Sequence, residues 1–140
     1  MNLGSFQKPI AFADPTATRR ARGQKSARRG IAGEDAACAA LIAQGWQVLG
    51  RRLRTLAGEV DAVAQKDGLV AIIEVKARPS LAEAAYALGA RQMARIISAA
   101  EILLVENPGW GPAGVRFDLM LVDGNGHVRR IADAFRLESV

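Results

Sequence analysis

Residues 58–77 read GEVDAVAQKDGLVAIIEVKA. This segment contains two runs rich in β-branched and small apolar residues, separated by Asp67-Gly68. An Asp-Gly pair between two such runs is a strong hairpin signal, because both residues tolerate the positive φ of a two-residue turn. The segment therefore predicts two antiparallel strands, Glu59–Lys66 and Leu69–Ala77.

The two-residue turn also predicts the register of this hairpin. Counting outward from Lys66 opposite Leu69, Asp61 is expected opposite Glu74 and Glu59 opposite Lys76. Directly opposed side chains have Cβ atoms ~5 Å apart, and alternation along each strand puts all four polar groups on one face. The other face is expected to be apolar and to comprise Val60, Ala62, Ala64, Ala71, Ile73 and Val75.

The convergence of Asp61, Glu74 and Lys76 favours phosphate chemistry. Two opposed carboxylates repel each other unless a cation lies between them. Lys76 supplies one positive charge, and a hard divalent cation such as Mg²⁺ binds through one or two carboxylates together with substrate phosphate. Such an ion can polarise a phosphoryl oxygen and activate a water molecule. The alternative interpretation is a surface hairpin with cross-strand Glu–Lys pairing, which is common and contributes little stability.

The remaining chain predicts two long helices and three further strands. The first helix is expected from about Arg28 to Gln44, and the second from Arg91 to Glu106, where apolar residues recur at spacings of three and four. Leu81–Leu88 fits either a short helix or a loop. The further strands are expected at Val48–Arg54, Val115–Val122 and His127–Arg136. The order α-β-β-β-α-β-β predicts an α/β domain in which helices pack on a mixed sheet.

The net charge of +5 is concentrated at the amino terminus. Residues 1–30 hold seven Lys and Arg against one Asp, so the other 110 residues have a slight negative charge. We expect residues 1–25 to be a disordered basic tail and residues 26–140 to form one domain. Such a tail would strengthen binding to a polyanion by releasing counterions. A solvated leader without function and a transit peptide are the alternatives.

Several other classes of function are disfavoured. A single cysteine, Cys38, cannot build a disulfide framework or a cysteine-rich zinc site, and it is expected in the core. The longest apolar runs are shorter than the ~20 residues of a membrane span, and no secretory signal is evident. We therefore expect a cytoplasmic protein without a membrane partner. Residues 109–114 match G-x-G-x-x-G, but they follow a helix and precede a strand, the reverse of a dinucleotide site.

A set of short motifs between residues 33 and 118 carries a family resemblance. The pieces are Gly33-Glu34, Ala37, Gly45, Val48-Leu49, Arg54, Gly58-Glu59-Val60-Asp61, Glu74-Val75-Lys76-Ala77-Arg78, Gln92 and Arg116-Phe117-Asp118. In their order and approximate spacing the chain resembles the YraN-like family, largely uncharacterised bacterial proteins grouped with PD-(D/E)xK restriction-endonuclease-like nucleases and Holliday-junction resolvases. Two positions depart from that pattern. Arg52 stands where the family usually has Asn, and Arg91 where Lys commonly precedes Gln92.

The resemblance implies a restriction-endonuclease-like α/β/α fold, with a central mixed sheet flanked by helices. It implies an active site that comprises Glu34, Asp61, Glu74, Lys76 and Gln92, with Asp61 and Glu74 as ligands of Mg²⁺ or Mn²⁺. Glu34 also falls on the inward stripe of the first predicted helix, where a carboxylate needs a partner. A simpler interpretation of Glu34 is an acidic residue favoured by the helix dipole. Phosphate contacts are expected from Arg54, Arg78, Arg91 and Arg95.

The sequence thus predicts a Mg²⁺- or Mn²⁺-dependent endonuclease that hydrolyses DNA phosphodiester bonds. Branched or junction DNA is a candidate substrate, and a homodimer would suit resolvase-like action. One alternative is a nucleic-acid-binding accessory protein with weak or no catalysis, and another is a structural, partner-binding domain. The intact Asp61, Glu74 and Lys76 set favours the enzyme, because a pure binder does not need clustered carboxylates facing phosphates.

Overall fold

The computed structural model describes residues 30–85 and 87–136. Three helices and five strands follow one another in the order that the sequence predicted. They are α1 (residues 30–43), β1 (Gln47–Thr55), β2 (Gly58–Lys66), β3 (Leu69–Ala77), α2 (Leu81–Ala85), α3 (Ala90–Glu106), β4 (Gly114–Val122) and β5 (Val128–Phe135). The ambiguous segment at residues 81–88 begins as the short helix α2. The predicted tail, residues 1–25, and the first residues of the predicted helix lie outside the described residues.

The five strands form one mixed sheet in the order β1-β2-β3-β4-β5. Only β3 and β4 are parallel, and the other neighbours are antiparallel. A parallel pair needs a long crossover connection, and α2 with α3 provides it between the end of β3 and the start of β4. The predicted mixed α/β architecture is therefore confirmed.

The β2–β3 turn has the geometry that Asp-Gly predicted. Asp67 has a φ of 51° and Gly68 a φ of 79°, so both turn residues are in the left-handed region. The predicted register is confirmed from Lys66 opposite Leu69 to Ala62 opposite Ile73. A turn of two residues thus fixes which side chains face each other along most of the hairpin.

Beyond Ala62 and Ile73 the ladder between β2 and β3 ends. There the Asp61 carboxylate accepts a hydrogen bond from the backbone N–H of Val75 at 2.7 Å, in place of strand-to-strand pairing. The two pairs predicted beyond this point, Asp61 opposite Glu74 and Glu59 opposite Lys76, are not formed in the ladder. Glu59 pairs with Arg54 of β1 instead, both in the ladder and through an ion pair at 3.4 Å.

The core has two layers, one on each face of the sheet. Helix α1 packs on the face formed by Ala62, Ala64, Ala71 and Ile73, and helix α3 packs on the opposite face, over Val63, Val70 and Ile72. Cys38 of α1 is buried in the first layer, as predicted. Each long helix thus covers one face of the central hairpin.

Val60 departs from the predicted alternation. It was expected on the same face as Ala62 and Ala64, but it packs in the layer that contains α3. The alternation breaks at Asp61, where the ladder to β3 ends. In the β1–β2 ladder, Arg51 pairs with Ala62 and Leu53 pairs with Val60, one pair on each side of Asp61. Arg52, between these two pairs on β1, has a left-handed φ of 49°. This irregularity turns the end of β2 toward α3.

A buried cluster of charged side chains joins β5 to β4. Asp118 is fully buried and accepts two hydrogen bonds from the Arg116 guanidinium, each at 2.8 Å, and one from the backbone N–H of Asp133 at 2.9 Å. The guanidinium carbons of Arg116 and Arg130 lie 5.6 and 5.2 Å from the ring centroid of Trp46. Such cation–π contacts and paired charges offset the cost of burying the carboxylate. This cluster links the turn after α1 to the last two strands.

None of the helices in the described ranges is long and apolar enough to cross a bilayer. The longest of them, α3, has 17 residues and buries one face against the sheet.

Candidate active site

A cavity of about 230 Å³ opens where β2 and β3 separate. Residues from three elements line it: Gly58, Glu59 and Asp61 of β2, Glu74 of β3, and Gln92, Arg95 and Ile96 of α3. The cavity exists because the ladder ends at Ala62 and Ile73, so the outer parts of the two strands leave space below the start of α3. Four of the predicted site residues thus line the cavity: Asp61, Glu74, Gln92 and Arg95.

Glu74 is the most perturbed group of this cavity. Its side chain is 8% exposed, and its Oε1 accepts a hydrogen bond from Gln92 Nε2 at 3.1 Å. Burial, followed by the negative charge of Asp61, raises the pKa of Glu74 to about 8, and the nearby Lys76 ammonium offsets only part of that rise. Without a bound cation Glu74 is therefore mostly protonated at neutral pH.

Lys76 is held beside Glu74 by a chain of hydrogen bonds. Its Nζ donates to Gln92 Oε1 at 2.8 Å and lies 3.5 Å from Glu74 Oε1. An ammonium can only donate, so Gln92 must turn its amide oxygen to Lys76, which leaves its amide nitrogen to donate to Glu74. Gln92 therefore positions both groups from α3, and the Lys76 side chain is only 12% exposed.

The donor set suits a hard divalent cation. No group of three or more His, Cys, Asp or Glu side chains in the described part of the chain is arranged to hold a metal. Asp61 and Glu74 match a different mode, in which Mg²⁺ is held by one or two carboxylates and completes its shell with water and substrate phosphate. Burial and the neighbouring Asp61 carboxylate both disfavour the ionised form of Glu74, and a bound cation would favour that form.

Of the four arginines expected to contact phosphate, Arg95 lines the cavity. Arg54 lies on the neighbouring β1, where it is 88% exposed and paired with Glu59. Arg91 is exposed in the first turn of α3. Arg78 follows β3 and donates to the carbonyl oxygen of Ala77 at 2.7 Å. One of the four arginines thus lines the cavity, and the role of all four in binding stays a prediction.

Glu34 is placed apart from the cavity wall. It belongs to α1, on the opposite face of the sheet from α3, and its Oε1 accepts a hydrogen bond from Arg52 Nε at 2.9 Å. Gly33 allows α1 to approach β3, since a Cβ there would lie 2.7 Å from the Cβ of Ala77. Arg52 has a left-handed φ of 49°, a conformation that Asn adopts more readily than most other residues. The catalytic role of Glu34 stays a prediction.

Two residues that contact the predicted site residues or line the cavity, Arg52 and Ile96, were not predicted as site residues. Ile96 is part of the apolar stripe of α3, and its position at the cavity depends on how α3 crosses the sheet. Arg52 is one of three arginines in the run Arg51-Arg52-Leu53-Arg54, and nothing in that run marks the one that pairs with Glu34.

Comparison with known proteins gives one consistent result. The family model described as "Uncharacterised protein family UPF0102" matches residues 33–122. A UPF0102 protein of Granulibacter bethesdensis is 58% identical over 117 residues, which cover 84% of this chain and 74% of that protein. A UPF0102 protein of Azorhizobium caulinodans is 48% identical over 124 residues, covering 89% and 95%. A third, from a Bradyrhizobium species, is 42% identical over 128 residues, covering 91% of each chain.

Proposed function

Because the chain belongs to the uncharacterised protein family UPF0102, whose name states no activity, we propose its function from the site. We propose a Mg²⁺- or Mn²⁺-dependent nuclease that hydrolyses DNA phosphodiester bonds, built on a restriction-endonuclease-like fold. The support for this fold is a mixed sheet between α1 and α3, with carboxylates where the central strands separate.

One observation carries the proposal. Asp61 and Glu74 line one cavity, and the Lys76 ammonium lies 3.5 Å from Glu74 Oε1, although a buried carboxylate next to a second carboxylate is unfavourable for folding. Groups with strongly shifted pKa values in a cleft are frequent at functional sites. A structural role alone would be better served by an apolar residue at position 74, because β3 is otherwise buried on both faces.

Each residue has a distinct role in the proposed reaction. Asp61 and Glu74 would hold the metal ion, which when bound supplies Lewis-acid polarisation of the phosphate and activation of water. Lys76, held by Gln92 next to Glu74, orients the attacking water and offsets the charge that develops as the P–O bond breaks. Arg95 forms no ion pair with any described residue and faces the same cavity, so its guanidinium is available for a phosphate oxygen.

The test is a nuclease assay on linear duplex, single-stranded and four-way DNA, with Mg²⁺, with Mn²⁺ and with EDTA. We expect cleavage only with metal, and loss of cleavage in Asp61→Asn and Lys76→Ala. Glu101→Gln, which removes an exposed carboxylate of α3, is the matched control and should cleave like the wild type. Metal-independent DNA binding without cleavage on any substrate would favour the accessory nucleic-acid-binding protein instead.

A further inference from the structure

The tip of the β1–β2 hairpin presents a fully exposed leucine. Leu56 and Ala57 form the turn between β1 and β2, and Leu56 has a relative exposure of 105%. The next most exposed large apolar residues in the described chain are Val105 at 82% and Ile42 at 61%. Neither Leu56 nor Ala57 has a positive φ, so the turn accepts most residue types and does not itself require a leucine here.

The tip is held in a fixed conformation. Thr55 Oγ1 accepts hydrogen bonds from the backbone N–H groups of Ala57 at 3.1 Å and Gly58 at 3.2 Å. The same hydroxyl donates to the carbonyl oxygen of Gly58 at 2.8 Å. These three hydrogen bonds to one side chain restrict the turn and hold Leu56 away from the body of the protein. Because the turn is already ordered, contact between Leu56 and a binding partner would cost little conformational entropy.

This apolar tip lies at the rim of the carboxylate cavity, between cations. Gly58 and Glu59 line the cavity, and Leu56 is two Cα steps from Gly58, at most ~8 Å. Arg54, 88% exposed, precedes the tip on β1. Arg95 approaches from α3, since a Cβ on Gly58 would lie 3.9 Å from the Arg95 Cβ. An apolar side chain flanked by cations complements a nucleic acid, in which stacked bases lie between phosphates. The cations would contact the phosphates and the apolar side chain would contact the bases.

We propose that Leu56 is a wedge that enters the base stack next to the phosphate held in the cavity. This inference rests on the proposed nuclease function and specifies its substrate class: duplex DNA with an interrupted or distorted stack, such as a gap, a bulge or a junction. Insertion of an apolar side chain into a continuous duplex requires the separation of two stacked base pairs. At an interruption that stacking is already lost, so Leu56 gains apolar contact without this cost. Leu56 is therefore a specificity-determining residue.

The experiment measures binding of the full chain to two duplexes that differ only in a one-nucleotide gap next to a 2-aminopurine base. Every protein in this experiment also carries Asp61→Asn, so that cleavage of either duplex does not interfere with the binding measurement. We expect Leu56→Ala to reduce the preference for the gapped duplex by about tenfold, the effect of losing one buried leucine side chain. The rise in 2-aminopurine fluorescence on binding should disappear, while Leu56→Met should retain both effects. Val105→Ala, an exposed apolar residue at the far end of α3, is the matched control and should behave as the wild type.

The outcomes separate this inference from the proposed function. If the wild type cleaves DNA with metal but Leu56→Ala keeps the gap preference and the fluorescence change, the wedge is wrong and the nuclease stands. A loss of more than a few degrees in the melting temperature of Leu56→Ala would also overturn the wedge, because Leu56 would then pack within the protein. If the wild type neither binds nor cleaves either duplex with Mg²⁺ or Mn²⁺, both proposals fail.

Discussion

Replacement of Glu74 by Gln should change how the stability of the metal-free protein depends on pH. The Glu74 side chain is 8% exposed, and its pKa is raised from 4.5 to about 8. Below pH 4.5 the carboxyl is protonated in both the folded and the unfolded chain, so its contribution to stability is complete. As the pH rises toward 8, the unfolded chain loses this proton freely while the folded chain must keep it or bury a charge, so the folded state is progressively destabilised.

The size of this effect follows from the two pKa values. At ~1.4 kcal/mol per pKa unit, the loss reaches about 3 kcal/mol at pH 7 and does not grow much above pH 8. Gln has the size of Glu but no proton to lose, and its amide oxygen can still accept the hydrogen bond from Gln92 Nε2. Glu74→Gln should therefore be more stable than the wild type at pH 7 to 8, and the two should converge near pH 4.5.

The assay is urea unfolding at 25 °C in EDTA, at one-unit intervals from pH 5 to pH 8, for the wild type, Glu74→Gln and Glu101→Gln. The difference between the wild type and Glu74→Gln isolates this carboxyl, because Asp123 and Asp133, whose pKa values are lowered, lose their contributions only at more acid pH. Glu101→Gln should follow the wild type. Parallel curves for the wild type and Glu74→Gln would refute the reasoning, because they would show that Glu74 ionises normally in the folded protein.

Four further predictions concern the metal, the reaction and the DNA. Asp61→Asn should lower Mn²⁺ affinity by at least about tenfold in calorimetry without lowering the melting temperature, because it relieves carboxylate repulsion; unchanged affinity would remove Asp61 from the metal site. Lys76→Ala should lower the cleavage rate by about 10²-fold with Mn²⁺ affinity retained, which single-turnover kinetics and calorimetry measure together; an equal loss of both would mean that Lys76 only holds Glu74 in place. Arg95→Ala should weaken DNA binding and reduce its salt slope by about 1, as loss of one phosphate contact requires, and an unchanged slope in salt titrations would contradict that contact. Deletion of residues 1–25 should leave the melting temperature nearly unchanged and flatten the salt dependence of DNA binding; a much lower melting temperature would make the tail part of the fold.

The central hairpin could be predicted because its determinants are local. Asp67 and Gly68 adopt the positive φ values that their residue types favour, and the turn then fixes five cross-strand pairs. The end of the ladder could not be predicted in this way. It depends on the hydrogen bond from the Val75 backbone N–H to the Asp61 carboxylate, which joins residues distant in sequence. It depends also on the left-handed backbone conformation of Arg52 in β1, which the residue type does not predict.

The site residues were predictable to different degrees for the same reason. Asp61, Glu74 and Lys76 lie on two strands joined by a short turn, so they could be expected near one another, although the pairing predicted for Asp61 and Glu74 lies beyond the end of the ladder. Gln92 and Glu34 lie on different helices, and their distance from the hairpin depends on which face of the sheet each helix covers. The resemblance supplied both residues, but α3 brings Gln92 to the carboxylates, whereas α1 lies on the other face and pairs Glu34 with Arg52.

The sheet buries two carboxylates, and their surroundings differ in a way that bears on function. Asp118 receives two hydrogen bonds from a guanidinium and one from a backbone N–H, so its negative charge is fully compensated within the protein. Glu74 receives one hydrogen bond from a neutral amide, with the Lys76 ammonium at 3.5 Å, and burial together with the Asp61 carboxylate disfavours its ionised form. A carboxylate kept for stability alone is expected to look like Asp118. The incomplete compensation of Glu74, at a cavity of about 230 Å³, supports a role for it in binding a cation and its substrate.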